Sequence, residues 1–298
     1  MTPPKISIII CSIEAAKFAR VSECYRNLLA NIPFEIIGIH DAQSLSEGYN
    51  RGIARAKGEI LILSHDDVLI VDPEFTKKIM ERLKTYDLLG FAGAGRLVNA
   101  TWFGAGQPYL HGAVCHALAR SRTLGLNIWG GAQWPVASDI KVMDGLCMIT
   151  RTEVARAVGF DAETFNGFHL YDIDFSFSTY LAGYKLGICC DIPIIHESGG
   201  RFDHVHKEFA LRFIDKHHAN LDQVDEEKRR LGSNIANQIP VGRSADFTDI
   251  AAVRRAWCKE VFARVTNALN RPIRQMESVP PAMPQGTTPG WWEKYLAP

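Results

Sequence analysis

The sequence carries no net charge: its 33 basic and 33 acidic residues cancel. That excludes a nucleic-acid binder working through a broad positive field, while leaving room for a local charged pocket. No apolar run approaches the roughly 20 residues of a membrane span. The short run near the start, in "MTPPKISIIICSIEAAKFAR", has the wrong flanks for a signal peptide. A cytoplasmic protein is the expectation. Cysteine is sparse and unpatterned: Cys11, Cys24, Cys115, Cys147, Cys189, Cys190 and Cys258 show neither paired zinc-type spacing nor a secreted disulfide framework. They read as reduced, mostly structural thiols. There is no internal repeat.

What is present is a globular composition. With 298 residues, 47% apolar and 22% charged, the chain can bury a substantial core in one large or two modest domains. "KISIIIC" is a β-branched run followed by a helix-compatible segment from about Glu14 to Asn31, and "FEIIGIH" then "SLSEGYNRGIARAKG" repeat the arrangement. "EILILS" is a third such run. Short, fully apolar strands separated by helical segments predict a parallel sheet covered on both faces.

In such sheets, ligands sit beyond the carboxyl ends of the strands. The residues there are Ser12 and Glu14 after the first strand, His40 and Asp41 after the second, and His65, Asp66 and Asp67 after the third. They are expected to converge on one crevice. "GEILILSHDDV" is the sharpest instance, a buried strand ending in three metal-ligand side chains. A helix follows, opened by "DPEFTKKIMERL", and then "LLGFAGAG". From Arg96 to Trp134 the chain is rich in Gly and Trp with little periodicity, the pattern of a long functional or mobile loop.

Pattern returns with "KVMDGLCMIT" as a strand, "RTEVARAVG" and "YDIDFSFSTYLAGYK" as helices, "LGICCDIPIIH" as strand material with a Pro break, and "HKEFALRFIDKHHANL" as a closing helix. The core domain is expected over 1–220. Residues 221–298 form an extension containing one amphipathic helix, "DIAAVRRAWCKEVFARVTNALN", a Pro-rich linker and "WWEKYL". Packing of that helix on its own domain is the plainer reading; a homo-oligomer or partner contact through the tail stays open.

Over roughly residues 5 to 200 the sequence resembles the family-2 glycosyltransferases of the GT-A fold. The family's "SIIIPTYN" is similar to "SIIICSIE", and "EIIVVDDGS" to "EIIGIHDAQ". The strongest block is "NRGIARAKGEILILSHDDV", which resembles "N.G...A.GEYILFLDADD" without a gap and places the family's Asp-x-Asp on His65-Asp66-Asp67. "DGLCMITRTEVARAVGFDAETF" resembles the segment ending in "GGFDE.F". "YDID" resembles "ED.D", with Tyr171 for Glu and Asp172 at the catalytic aspartate. "IPIIHESGG" resembles the strand ending in the family's histidine, here His196.

The resemblance implies a Rossmann-like α/β fold, a mixed, mainly parallel sheet with helices on both faces and the helical extension behind it. It implies a metal-dependent, inverting glycosyltransferase using a nucleoside-diphosphate sugar, with a polysaccharide, glycolipid precursor or protein as acceptor. His65, Asp67 and His196 would hold a divalent cation. Oxygen donors suit magnesium and imidazole suits transition metals, so this ligand set favours manganese. Asp172 would take the acceptor's proton. Ser12, Glu14, Asp41, Asn50, Asp66, Asp144 and Gly145 would contact the nucleotide sugar. Asp174, about 200° round the helix from Asp172, cannot face the same atom.

Plainer readings stand beside these. Asp172 could be an N-terminal helix charge, His65 a solvent-facing loop residue, His196 a packed core histidine, Asn50 a packing or capping residue, and Asp144-Gly145 a turn. Trp102, Trp129 and Trp134 fit packing better than sugar stacking. A sugar-nucleotide nucleotidyltransferase or a non-catalytic sugar-nucleotide binder is an alternative function. More remote is an iron oxygenase, since His65, Asp67 and His196 also fit a two-histidine, one-carboxylate triad; that family builds its triad on a jelly roll.

Overall fold

The computed structural model describes residues 5–118, 123–130, 135–198, 203–224 and 239–243. Its first third alternates as expected: β1 (Ile6–Cys11), α1 (Ala15–Leu28), β2 (Phe34–Ile39), α2 (Leu45–Arg55) and β3 (Ile60–Ser64). β1 lies parallel to both β2 and β3. Its isoleucines show why the run is apolar throughout. Ile8 and Ile10 enter one core with Val21 and Tyr25 of α1, whereas Ile9 enters another with Tyr49 and Ile53 of α2. A strand buried on both faces has no polar side to show.

α2 starts where the sequence signals it. The Ser44 hydroxyl accepts the Glu47 N–H at 3.0 Å, and the Glu47 carboxylate accepts the Gln43 N–H at 3.2 Å. This is a reciprocal cap that satisfies donors left over at the helix start.

The chain continues through β4 (Val68–Ile70), α3 (Phe75–Arg82), β5 (Leu88–Gly90), β6 (Ala92–Ala94), β7 (Leu110–Leu118), β8 (Thr123–Trp129), β9 (Val136–Ile140), β10 (Val142–Met143) and β11 (Cys147–Arg151). Then come α4 (Thr152–Val158), α5 (Tyr171–Leu181), β12 (Leu186–Cys189), β13 (Ile194–His196), α6 (His204–His217) and β14 (Ile239–Arg243). One sheet has the order β2-β1-β3-β11-β5-β12-β9, with β11 antiparallel between β3 and β5. A second has the order β10-β6-β7-β13-β4, with β8 against β7 and β14 against β8.

Two segments differ from their sequence reading. The stretch from Arg96 to Trp134 is not one long loop: β7 and β8 form an antiparallel pair within it. Leu110 through Cys115 are all buried, so the strand shows no alternation that periodicity could detect. "KVMDGLCMIT" is not one strand but two, β10 in the second sheet and β11 in the first, separated by a turn at Asp144-Gly145. "LGICCDIPIIH" breaks around Pro193 as its sequence indicates, and the two strands fall in different sheets.

These divisions position the site. Three of the passages between the sheets, β3–β4, β10–β11 and β12–β13, carry or lead to site residues. His65 and Asp67 occupy the first passage, Asp144 and Gly145 the second, and His196 ends the strand that follows the third.

The β12–β13 passage is pinned by charge. The Asp191 carboxylate pairs with Arg82 at 2.6 Å and with Lys78 at 3.1 Å, and Lys78 also reaches the fully buried Asp72 at 2.7 Å. Removing one member of such a cluster strands the others in a poor solvent for charge. Asp191→Ala should therefore cost about 3 kcal/mol or more of unfolding free energy, read from urea denaturation.

β14 lies beyond residue 220, the expected end of the core domain, and pairs with β8. The tail helix, "WWEKYL" and Trp134 lie outside the described residues. No helix among the described residues is long and apolar enough to cross a membrane.

Candidate functional site

Residues separated by 131 positions meet at the seam between the sheets. The His65 backbone N–H donates to Leu146 O at 3.1 Å, fixing the end of β3 against the β10–β11 turn. β13 places His196 in register with Val68 of antiparallel β4 and with His116 of parallel β7. Glu197 N–H donates to Asp67 O at 3.0 Å, closing the loop.

The side chains then converge. His196 Nε2 lies 3.3 Å from His65 Nδ1 and 3.3 Å from Asp67 Oδ1, and His65 Nδ1 is 3.9 Å from Asp67 Oδ1. Ser198 Oγ is 3.2 Å from the same His196 nitrogen. Metal–ligand bonds of about 2.1 Å put neighbouring donors about 3.0–3.4 Å apart. Two of the three separations match already and the third needs a small movement, so these residues fit a divalent cation.

Electrostatics bind the trio together. Burial alone would raise the Asp67 carboxyl, but the hydrogen bond and charge of His196, with His65 behind it, hold it well below the usual carboxylate range. His196 moves the opposite way: burial would lower it, and Asp67 outweighs burial and raises it. Burial, then His196, lowers His65.

The turn after β10 supplies the second half of the site. Asp144 is held by two donors, Trp102 Nε1 at 3.1 Å and Leu146 N–H at 3.0 Å. Gly145 N–H donates to Asp172 Oδ2 at 2.8 Å. Burial first and the charge of Asp144 second push the Asp172 carboxyl up to about 7. Leu170, which precedes α5, is left-handed at φ 61°, a conformation costly for a non-glycine residue and concentrated at functional sites. It turns the chain so that Tyr171 and Asp172 open the helix at the cleft.

That cleft has a volume of about 190 Å³, room for far more than one bridging water, and His65, Trp102, Asp144, Tyr171, Asp172 and His196 are among its lining. Gly145 stands behind it as a close-approach glycine. A Cβ there would lie 2.4 Å from the Tyr171 hydroxyl and 2.5 Å from Asp172 Cβ. Gly145→Ala should displace both side chains and destabilise the fold by about 1–3 kcal/mol. Transfer should fall more steeply than stability does, as a progress curve recorded below the melting range would show.

The other expected nucleotide contacts lie elsewhere, beyond the ends of β1, β2 and β3 and on α2, and none of them lines this cleft. Ser12 Oγ donates to Asp66 Oδ2 at 2.6 Å, its N–H donates to Ile39 O at 2.9 Å, and its carbonyl meets His40 Nδ1 at 2.8 Å. Glu14 is exposed and pairs with Lys17; Asp41, 79% exposed, pairs with Arg51. Asn50 clamps Phe160 at both backbone atoms, at 2.7 and 2.9 Å. Asp174 faces away, bonded to His217 at 2.7 Å and to Lys216 at 2.8 Å. Trp102 and Trp129 pack edge to face at 5.1 Å.

Three cleft residues escaped the sequence reading: His116, whose ring lies 5.5 Å from that of His196, Ser198, and Tyr171 as a contact of His65. The His-x-Asp spacing and the family's acidic block point near the last of these, but nothing in the sequence says that the two segments touch.

A family model described as "Glycosyltransferase like family" matches residues 7–217. The chain belongs to that glycosyltransferase-like family. No curated protein matches it. Among solved structures, the chain is similar to a mannosyltransferase from Pyrobaculum calidifontis in complex with GDP-Man and Mn2+, at 12% identity and TM-score 0.46, covering 89% of this chain and 74% of that one. It is also similar to TarS of S. aureus in complex with UDP-GlcNAc, at 13% identity and TM-score 0.43, covering 89% and 79%. A third is the catalytic domain of Drosophila beta1,4galactosyltransferase 7, at 10% identity and TM-score 0.42, covering 69% and 79%. The family match, together with an α/β chain in place of a jelly roll, disposes of the iron-oxygenase reading of the His-Asp-His trio.

Proposed function

We propose that this member of the glycosyltransferase-like family moves a sugar from a nucleoside-diphosphate donor to an acceptor hydroxyl by a single inverting displacement. The observation that carries the proposal is the meeting of His65 Nδ1, Asp67 Oδ1 and His196 Nε2 beside a half-buried, hydrogen-bonded Asp172. His65, Asp67 and His196 would hold a divalent cation, and their two imidazoles would favour manganese over magnesium. A bound divalent cation supplies Lewis acidity to the donor's diphosphate, offsetting the charge that grows as the nucleoside diphosphate departs.

The protein's own groups do the rest. Asp172, fixed through Oδ2 by Gly145 N–H, takes the proton of the acceptor hydroxyl. That oxygen forms its bond to the anomeric carbon as the bond to the phosphate oxygen breaks on the opposite face. A carboxyl at about 7 is matched to this task, because a general base works best with a pKa near the working pH. Asp144 raises the basicity of Asp172 through its charge and stays oriented by Trp102 and Leu146.

Ser12, Glu14, Asp41, Asn50 and Asp66 are the proposed nucleotide-side residues, and a carbohydrate, lipid-linked or protein hydroxyl is the proposed acceptor. A thermal-shift panel of nucleoside diphosphates with and without manganese tests the reading. A stabilisation that needs both metal and one particular base supports it. Equal melting temperatures across the panel would refute it, as would nucleotide release by chemistry that leaves no nucleoside diphosphate.

A further inference from the structure

The two places where this chain departs from the metal and acid motifs it resembles touch one another. His65 stands at the first aspartate of the Asp-x-Asp motif and Tyr171 at the glutamate before Asp172. His65 Nε2 lies 2.5 Å from the Tyr171 hydroxyl. Nδ1 is thereby the ring nitrogen that faces His196 at 3.3 Å and Asp67 at 3.9 Å.

We infer that Tyr171 is the positioning residue for His65: its hydroxyl accepts the Nε2–H and so directs the Nδ1 lone pair toward Asp67 and His196. This rests on the reading of that trio as a cation site. A carboxylate needs no such help, because either oxygen can ligate. A neutral imidazole has one proton and one lone pair, and only the unprotonated nitrogen can bind a cation. Ligating imidazoles accordingly give their other N–H to a fixed acceptor. A tyrosine oxygen has lone pairs that can accept that proton.

The surroundings hold Tyr171 still. Its side chain is buried, with its ring 5.8 Å from Tyr49 and 6.2 Å from Phe160, which themselves stack at 5.3 Å. Gly145 provides the space the hydroxyl occupies. The left-handed Leu170 aims the first turn of α5 at the site. His65 and Tyr171 thus work as one pair, a ligand and its orienter.

Calorimetric titration of manganese into the full chain tests this through a four-member cycle: wild type, Tyr171→Phe, His65→Asp and the double variant. Tyr171→Phe should weaken manganese binding by about 10-fold or more when His65 is present. In the His65→Asp background the same change should alter affinity by less than about twofold. Unchanged affinity with His65 present, or an equal loss in both backgrounds, would overturn the inference. A wild type that binds no manganese would instead remove the cation site itself. Should Tyr171→Phe fail to fold, nitrogen-15 spectra of the zinc-loaded wild type decide, with the His65 signal found by its loss in His65→Asp. Zinc on Nδ1 with a proton on Nε2 supports the inference; zinc on Nε2 overturns it.

Discussion

Asp172→Asn is expected to lower transfer by about 10²–10⁴-fold, the contribution of a positioned general base, while the protein still binds the nucleotide with metal. The amide fills the same space and its oxygen can still accept the Gly145 N–H, so the lost function is proton acceptance alone. The pH dependence sharpens this. The base acts as the carboxylate, and its carboxyl stands at about 7, so wild-type transfer should rise from pH 6 to pH 8 and then level off. The variant's residual rate should lack that rise.

The same group works against the fold, which gives a second readout. Asp172 is raised from 3.8 to about 7 in the folded chain. Below about pH 4 folded and unfolded chains both hold the proton. Between 4 and 7 the unfolded chain releases it first, so stability declines across that window and stays lower above it. Asp172→Asn should therefore melt several degrees above wild type at pH 8 and close to it at pH 4. A stabilised but inactive variant is the mark of a residue kept for chemistry; an N-terminal helix charge would instead destabilise on removal.

Asp67→Ala should have the other large effect. It removes the single anionic donor of the trio and takes from His196 its ion-pair partner at 3.3 Å. Two imidazoles remain, too little to hold a hard or borderline divalent cation beside water. The metal-dependent part of nucleotide binding should vanish in a thermal-shift assay. Transfer should drop by at least about 10³-fold, corresponding to the several kcal/mol that a Lewis acid supplies to a departing diphosphate. Asp172→Asn and Asp67→Ala thus separate along different axes: the first keeps metal-dependent binding, the second loses it. The reverse pattern would exchange the two roles.

Much of this was legible in the sequence, for identifiable reasons. β1 and β3 are strands buried on both faces, and their runs, with partly buried β2 at the sheet edge, announce a parallel sheet directly. "SHDDV" follows such a strand without an intervening turn, so the placement of His65 and Asp67 came from local pattern. His196 is different. It lies in a short strand of the second sheet, and only the ordered family blocks linked it to residues 131 positions earlier.

The second sheet itself was hidden. β7 runs through Gly112, Ala113, Val114 and Cys115, small and buried residues with no period. The "DG" of "KVMDGLCMIT" is a turn signal that could have split the segment in two. Instead the apolar residues around it suggested one strand, and the passage between sheets that carries Asp144 was missed. The contact between His65 and Tyr171 had no sequence signal at all, because it joins a side chain from the β3–β4 passage to one at the start of α5, 106 positions away. Asn50 shows the converse: its place in a family block says nothing of the backbone clamp it makes on Phe160.

The most direct measurement is anomalous diffraction from crystals of the full chain soaked with manganese and the nucleoside diphosphate that shifts its melting temperature. The account predicts one strong manganese peak within bonding distance of His65 Nδ1, Asp67 Oδ1 and His196 Nε2, with diphosphate oxygens on its open side toward Asp172. A peak elsewhere, or a diphosphate bound away from that trio, would contradict it.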